Sequence, residues 1–474
     1  MVLTLGGSAL AKKPNRNRFD IFTKRPQNGF VLVDPAEQED NKPLRLGHDS
    51  PDVVELRTDP PHEVEDFSVL EFRLKGGKPE EHDIALEVED HAGAVRAVLV
   101  SDYARGHKGW QWVRVPIDDL GVYGGIRAVR LRNLSSRNES PTWQVEKIKL
   151  LRHEGSWLHT EENRILTSKD KRWRGRGASV QDTRSCGACL GQEDPEEVIR
   201  RIDELVDSWG ANFVRLTLES HDTPSLLDDR RYFEDIRRIV HHVGRKDGVY
   251  IMISLWHDPT FSKKGWPTDA TLPIWEKLAE TFADDPYVIF GICNEPQANF
   301  DGELDADVWE AMDNAVAAIR SVEAAHGKHK HLISVQGTGG WARDLHYYIG
   351  RPIEAGDGEN IVYELHYYDA IDDVANTLED PAGVLPVIIG EFGPVRGSMN
   401  AAECNDLMSK AEALDIPYLA WTFHQRCDPS MLVDNSGGGC GIGMKLEPSP
   451  WGEMVRSRFQ MKWGDDPYND DDED

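Results

Sequence analysis

Two carboxylates in this sequence sit at the ends of apolar runs, in matching surroundings. The stretch Val288-Ile289-Phe290-Gly291-Ile292-Cys293-Asn294-Glu295-Pro296 stays apolar as far as Cys293, then stops at an amide, a carboxylate and a proline. A short apolar run between turn residues, here preceded by Asp284-Asp285-Pro286, predicts a fully buried strand. Pro296 has no N–H to give a ladder, so the strand closes just after Glu295. Leu385-Pro386-Val387-Ile388-Ile389-Gly390-Glu391-Phe392-Gly393-Pro394 repeats the pattern and delivers Glu391. Barrel and doubly wound folds carry their chemistry at the carboxyl ends of their strands. Any single glutamate there is explained by the ordinary preference of strand ends for polar residues. A matched pair points instead to paired carboxylates.

The elements that would position this pair follow from the pattern after Leu158, where strand and helix segments alternate to the end of the chain. Strands are predicted at 174–180, 212–218, 250–257, 288–293, 332–336, 361–366, 385–391 and 418–422, with helices at 198–209, 230–245, 272–282, 308–324 and 400–413. The first helix is announced by Asp194 as N-cap, Pro195 at its first position and Glu197 at the capping-box position, and it ends at Gly210. Eight strands interleaved with helices over about 300 residues predict a (β/α)8 TIM barrel in an α/β chain. Its strand ends would present Arg215, His257, Asn294, Glu295, His366, Tyr368, Glu391 and Trp421.

In these residues the chain resembles the family 5 glycoside hydrolases, the cellulase-like retaining β-glycanases. The resemblance covers the predicted barrel, residues 155–462. It rests on Asn294-Glu295-Pro296 after the fourth strand, Gly390-Glu391-Phe392-Gly393 after the seventh, and the order of the supporting residues from Arg215 to Trp421. It implies Glu295 as acid/base and Glu391 as nucleophile. Arg215 and Tyr368 would hold the charge of Glu391, and Asn294 would bind the sugar 2-hydroxyl. His257 and His366 would contact the sugar or the carboxylates, and Trp421 would lie under the ring. Retention independently requires two carboxyl groups about 5–5.5 Å apart. Trp173, Trp256, Trp266 and Trp341 are candidates for outer sugar subsites or for loop packing. The resemblance implies an endo-acting hydrolase of β-1,4-glucan, with a β-mannanase as the runner-up reading. A transglycosylase and a non-catalytic carbohydrate-binding protein are the alternatives. No cofactor is expected, and a metal site from His257 and His366 lacks a third ligand at the usual spacing. A single chain acting on a polysaccharide outside the cell is the expected working unit.

Residues 29–154 show short alternating segments separated by Gly, Pro, Asp and Asn, which predicts an all-β, jelly-roll-like sandwich. This part is similar to the β-sandwich carbohydrate-binding modules attached to polysaccharide-degrading enzymes, chiefly through Trp110-Gln111-Trp112-Val113-Arg114-Val115. Core filling by Trp110 and Trp112 is the more economical expectation; ligand contact is the other. Residues 1–28 read as leader or linker: they lack the basic start of a secretion signal, and two glycines interrupt their apolar run. Residues 463–474 read as a disordered acidic tail. The net charge of −29 over 474 residues argues against nucleic acid or an anionic membrane as partner, and no apolar run approaches the roughly 20 residues that span a bilayer. Of six cysteines, Cys293 and Cys404 fall in predicted core elements. Cys186 and Cys189 follow the first strand while Cys427 and Cys440 follow the eighth, neighbours in a closed barrel, so two disulfides or a four-cysteine zinc site are both open.

Overall fold

The computed structural model describes residues 18–464 apart from 34–41, 48–50, 64–66, 68, 77–83, 105–108, 118, 123–124, 136–141, 152–156, 185–194, 220–224, 245, 247, 257–263, 327–328 and 438. The chain divides into two compact units, Met1–Glu154 and Gly155–Asp474.

The first unit is built from strands β1 (Arg18–Phe22), β2 (Val31–Val33), β3 (Leu44–Leu46), β4 (Val53–Glu63), β5 (Val69–Lys75), β6 (Ile84–Asp90), β7 (Val95–Leu99), β8 (Gln111–Pro116), β9 (Gly125–Asn133) and β10 (Trp143–Leu151). They form two antiparallel sheets, β1-β10-β5-β8 with β3 also on β10, and β2-β4-β9-β6-β7. Period-two alternation sends Trp143, Val145, Ile148 and Leu150 of β10 into the core with Leu70, Phe72 and Leu74 of β5. The outer face of the second sheet is a charge lattice, in which Arg130 bonds both Glu55 and Glu89 while Arg57 bonds the same two acids.

Two expectations are corrected here. β1 pairs with β10 from Arg18↔Leu151 onward, so the sandwich begins inside the stretch read as leader. Trp112 is 46% exposed on the outer face. Arg73, Lys147 and Lys149 stand 4.7–5.8 Å from its ring. Trp143, on β10, is instead fully buried in the core.

In the second unit a hairpin, β11 (His159–Glu161) and β12 (Arg164–Leu166), precedes eight parallel strands: β13 (Arg176–Gln181), β14 (Phe213–Leu218), β15 (Tyr250–Leu255), β16 (Val288–Gly291), β17 (Ile333–Gln336), β18 (Ile361–Tyr367), β19 (Val387–Phe392) and β20 (Tyr418–Ala420). They close in sequence order into a barrel, β20 pairing back onto β13. Every residue of β14 through β20 is buried, as expected of parallel strands covered on both faces.

The outer helices are α1 (Pro195–Asp203), α2 (Arg230–Gly244), α3 (Leu272–Thr281), α4 (Asp305–His326), a short α5 (Asp380–Ala382), α6 (Ala401–Ala413) and α7 (Pro450–Gln460). α6 starts on a complete capping box: Asn400 accepts from the Glu403 N–H and Glu403 accepts from the Asn400 N–H. Ser449 caps α7, with Pro450 behind it; each such cap stabilises by about 1 kcal/mol. The sequence did not reveal α7, whose Trp451 Nε1 bonds the Trp421 carbonyl oxygen at 2.9 Å. Nor did it place Trp463 and Gly464 on the barrel; both donate to Glu412, so the packed chain runs past residue 462. The rest of the acidic tail lies outside the described residues.

Candidate active site

The barrel delivers its polar groups to one mouth because each lies at or just past the carboxyl end of its strand. Arg215, third in β14, is fully buried and points across the interior. Its Nη1 donates to Glu391 Oε1 at 2.6 Å, and its Nη2 to Asn294 Oδ1 at 2.7 Å. Ser254 Oγ lies 3.3 Å from the same Nη2, and donates in turn to the Cys293 carbonyl oxygen at 3.1 Å. Tyr368 donates its hydroxyl to the other Glu391 oxygen at 3.1 Å. Glu391 is therefore clamped on both oxygens, one bond charge-assisted, which fixes the orientation of its carboxylate.

Glu295 follows β16 and accepts from His366 Nδ1 at 2.9 Å, while the same nitrogen lies 3.6 Å from Glu391 Oε2. One oxygen of Glu295, one of Glu391 and a ring nitrogen of His366 all fall within 4.8 Å of one another. That closeness is of the order of the 5–5.5 Å between carboxyl groups used for retention, and shorter than the roughly 6.5–9.5 Å that leaves room for an inverting water. It also describes a trio able to reach one cation. The guanidinium of Arg215 already supplies the positive charge at Glu391, however, and His366 turns an N–H on Glu295, so the cluster is arranged as a hydrogen-bonded acid pair.

Burial raises the Glu391 carboxyl, and the nearby charges of His366 and Arg215 oppose that rise. For His366, burial disfavours the cation, but the Glu391 charge and hydrogen bonds to Glu295 and Glu364 lift it to about 9. With a carboxylate oxygen at each ring nitrogen, this rise favours the imidazolium, the form in which both nitrogens donate. Burial and the Glu391 charge push the Tyr368 hydroxyl well above its usual value, which keeps it a donor.

Sequence reasoning missed Glu364. It lies on β18 two residues before His366, hence on the same face, and accepts from His366 Nε2 (3.0 Å), Ser334 Oγ (2.8 Å) and Gln336 Nε2 (2.6 Å). The signal was present in Tyr363-Glu364-Leu365-His366, two polar groups alternating with apolar ones inside a buried strand.

The aromatic candidates divide. Trp421, just past β20 and 8% exposed, stacks on Trp256 with ring centroids 5.4 Å apart and an 18° tilt. Trp341 is 39% exposed at the rim, its backbone N–H donating to the Pro296 carbonyl oxygen. It stands edge-on to Phe300, a 65% exposed residue that sequence overlooked. Trp173 is corrected: it precedes β13 and packs against Phe213 and Tyr250, the first residues of β14 and β15, at the end of the barrel away from the glutamates. Trp266 is buried, so its ring offers no face to a sugar; neighbouring Gly265 packs directly against the Glu295 carbonyl oxygen. His257 lies outside the described residues.

The four-cysteine cluster is corrected too. Cys427 is disulfide-bonded while Cys440 keeps its thiol, so neither two bridges nor a zinc tetrad forms from the four. Cys186 and Cys189 lie outside the described residues. Cys293 and Cys404 are buried thiols. The carbonyl of Cys440 accepts from Arg201 at 3.0 Å, which ties the last loop to α1.

The barrel is closed and parallel, and it brings two glutamates close together at its carboxyl mouth. Residues 176–426 match the model of the cellulase family, glycosyl hydrolase family 5, and the chain belongs to that family.

Endoglucanase A of Butyrivibrio fibrisolvens is 25% identical over 247 residues, covering 49% of this chain and 54% of the relative. An endoglucanase of Clostridium saccharobutylicum is 22% identical, covering 48% of each. The chain thus spans about half the length of the curated relatives it matches. Among solved structures, cellulase Cel5C_n superposes with a TM-score of 0.54 at 21% identity, over 66% of this chain and 94% of that one. The β-glucanase SdGluc5_26A of Saccharophagus degradans, solved with cellotetraose, gives 0.51 at 19% identity over 64% and 93%. At these identities the structural likeness speaks for the fold. Among the described residues no helix is long and apolar enough to cross a membrane.

Proposed function

We propose that this chain is an endo-acting, retaining hydrolase of β-1,4-linked glucan. The observation that carries the reading is the distance between the two glutamates, with Glu391 clamped by Arg215 and Tyr368. Glu391 attacks the anomeric carbon as Glu295 gives its proton to the glycosidic oxygen, and the leaving sugar departs. Glu295, now a carboxylate, takes a proton from water, and the resulting hydroxide equivalent displaces Glu391. Asn294, held by Arg215, is presented to the 2-hydroxyl, where a hydrogen bond strengthens as positive charge develops on the ring. Trp421 and Trp256 offer a platform beneath the sugar, and Trp341 with Phe300 offers a second one beside Glu295. The names of the relatives favour β-glucan over β-mannan. The Cys427 bridge favours an oxidising, extracellular setting.

The test is reducing-sugar release from soluble β-glucan, mannan, xylan and xyloglucan, with Glu391→Gln run alongside. Rapid loss of viscosity on β-glucan, absent in the variant, is expected. Release from mannan alone would replace the substrate, transfer to added sugar in place of hydrolysis would make the chain a transglycosylase, and no release from any glycan would favour a binding protein.

A further inference from the structure

Glu364 is fully buried, yet it is not one of the two reacting carboxylates. Around it the mouth holds three carboxylates, Glu295, Glu364 and Glu391, against two cations, Arg215 and His366. A buried carboxylate without function is costly, because desolvating an ion takes several kcal/mol and an apolar residue of the same size does as well or better. The site is also shaped to admit it: a Cβ on Gly390 would lie 2.0 Å from Glu364 Oε1, so the glycine beside Glu391 is the space the third carboxylate occupies.

We propose that Glu364 is a positioning residue for the reaction, holding the His366 ring by Nε2 so that the other ring N–H stays fixed on Glu295. Ser334 and Gln336 of β17 hold one Glu364 oxygen at 2.8 and 2.6 Å, leaving the other for His366 at 3.0 Å with Arg215 Nε at 3.4 Å. The ring cannot turn without losing a bond at each end. Nδ1–H occupies Glu295 Oε1, so the transferable proton sits on the second oxygen, free to face the glycosidic oxygen. As that proton leaves with the departing sugar, the carboxylate left behind already meets an N–H donor. Glu364 thus acts on Glu295 through His366 without touching substrate. The charged groups facing the imidazole are Glu364, Glu295 and Glu391, with Arg215 behind them and the Tyr368 hydroxyl on Glu391.

The inference rests on Glu295 as acid/base, and its test is chosen to separate the two. Glu364→Gln keeps the shape and removes the charge. It should lower kcat by about tenfold to a hundredfold, less than the 10²–10⁴ carried by a general acid, with little change in KM. It should also move the alkaline limb of the pH–rate profile to lower pH, because His366 loses its proton more easily without that neighbour. In a His366→Asn background the same change should add less than about twofold, since a residue acting through another has nothing further to lose. Independent, multiplicative losses, or a Glu364→Gln enzyme with native rate and profile, would overturn the proposal. Should Glu364→Gln fail to fold, ¹⁵N NMR of histidine-labelled native protein decides. His366 must show both ring nitrogens protonated at pH 7.5, and a neutral ring refutes the inference. A native protein inactive on every glycan would instead break the acid/base assignment and leave the NMR result standing.

Discussion

Both ends of this barrel bury charge, and they treat it in opposite ways. Below the strands, Glu323 of α4 accepts from Arg320 Nη1 (2.6 Å) and from the backbone N–H and Nδ1 of His331 (2.9 and 2.7 Å). Arg320 then spends its second nitrogen on the carbonyls of His331 and Glu359. Glu412 is shared among Tyr418, Arg458 and Gly464 in the same manner. Both oxygens of each of these carboxylates are closed off by partners. At the mouth, Glu295 is held by His366 alone among the described residues and keeps 13% of its side chain open, and acids outnumber bases. A cluster that only holds the fold satisfies its oxygens; one built for chemistry leaves an oxygen free at the surface it serves.

The largest effect that would sharpen this contrast is at Glu391. Glu391→Gln should cut kcat by about 10⁴ or more while leaving thermal unfolding close to native, because Arg215 retains Asn294 and Glu364. Glu323→Gln should do the reverse. It should cost about 3–5 kcal/mol of stability by stranding Arg320, with kcat/KM unchanged well below the transition. Comparable damage to both properties in both variants would erase the distinction.

The lower cluster also carries a pH signature. Burial alone would raise the Glu323 carboxyl, but the His331 hydrogen bond and the Arg320 charge take it below the ordinary 4.5. A depressed native value gives stability that is present above about pH 4.5 and lost as pH falls through the native value. Denaturant unfolding between pH 6 and pH 3 should show that loss, and Glu323→Gln should flatten it; parallel slopes in the two proteins would count against the account.

The tryptophans extend the comparison. Trp173→Ala, at the closed end, should cost about 3–5 kcal/mol of stability and leave KM alone. Trp341→Ala, at the open rim, should raise KM by about fivefold, on the order of 1 kcal/mol, with stability nearly native. Isothermal glycan titration beside thermal melts separates them, and an unchanged KM for Trp341→Ala would remove it from the subsites.

How much of this was legible in the sequence depended on which physical signal each residue left. β16 and β19 were readable because a strand buried on both faces must be continuously apolar, and the glutamate that ends such a run stands out. The order from Arg215 to Trp421 gave the mouth. Glu364 was hidden because a buried carboxylate inside a strand looks like an interruption until its partners on β17 and β18 are seen. Residue type alone left Trp173 open between a sugar subsite and packing, although a residue that precedes a parallel strand must lie at the end opposite the chemistry. Strand adjacency brought the loops after β13 and β20 together but could not fix which sulfurs bond, and Cys440 was left with its thiol. In the sandwich, β1 to β3 run only three to five residues, too short to announce themselves. Trp112 and Trp143 carry the same residue type on opposite faces.

The central claim is that Glu391 forms a bond to sugar while Glu295 manages the proton. Intact-mass and peptide-mapping spectrometry after incubation with a 2-deoxy-2-fluoro cellobioside bearing a good leaving group tests it most directly, because the fluorine slows release of the intermediate more than its formation. The account predicts one added glycosyl unit, mapped to Glu391. An active enzyme that shows no adduct, or one carried by another residue, would contradict it.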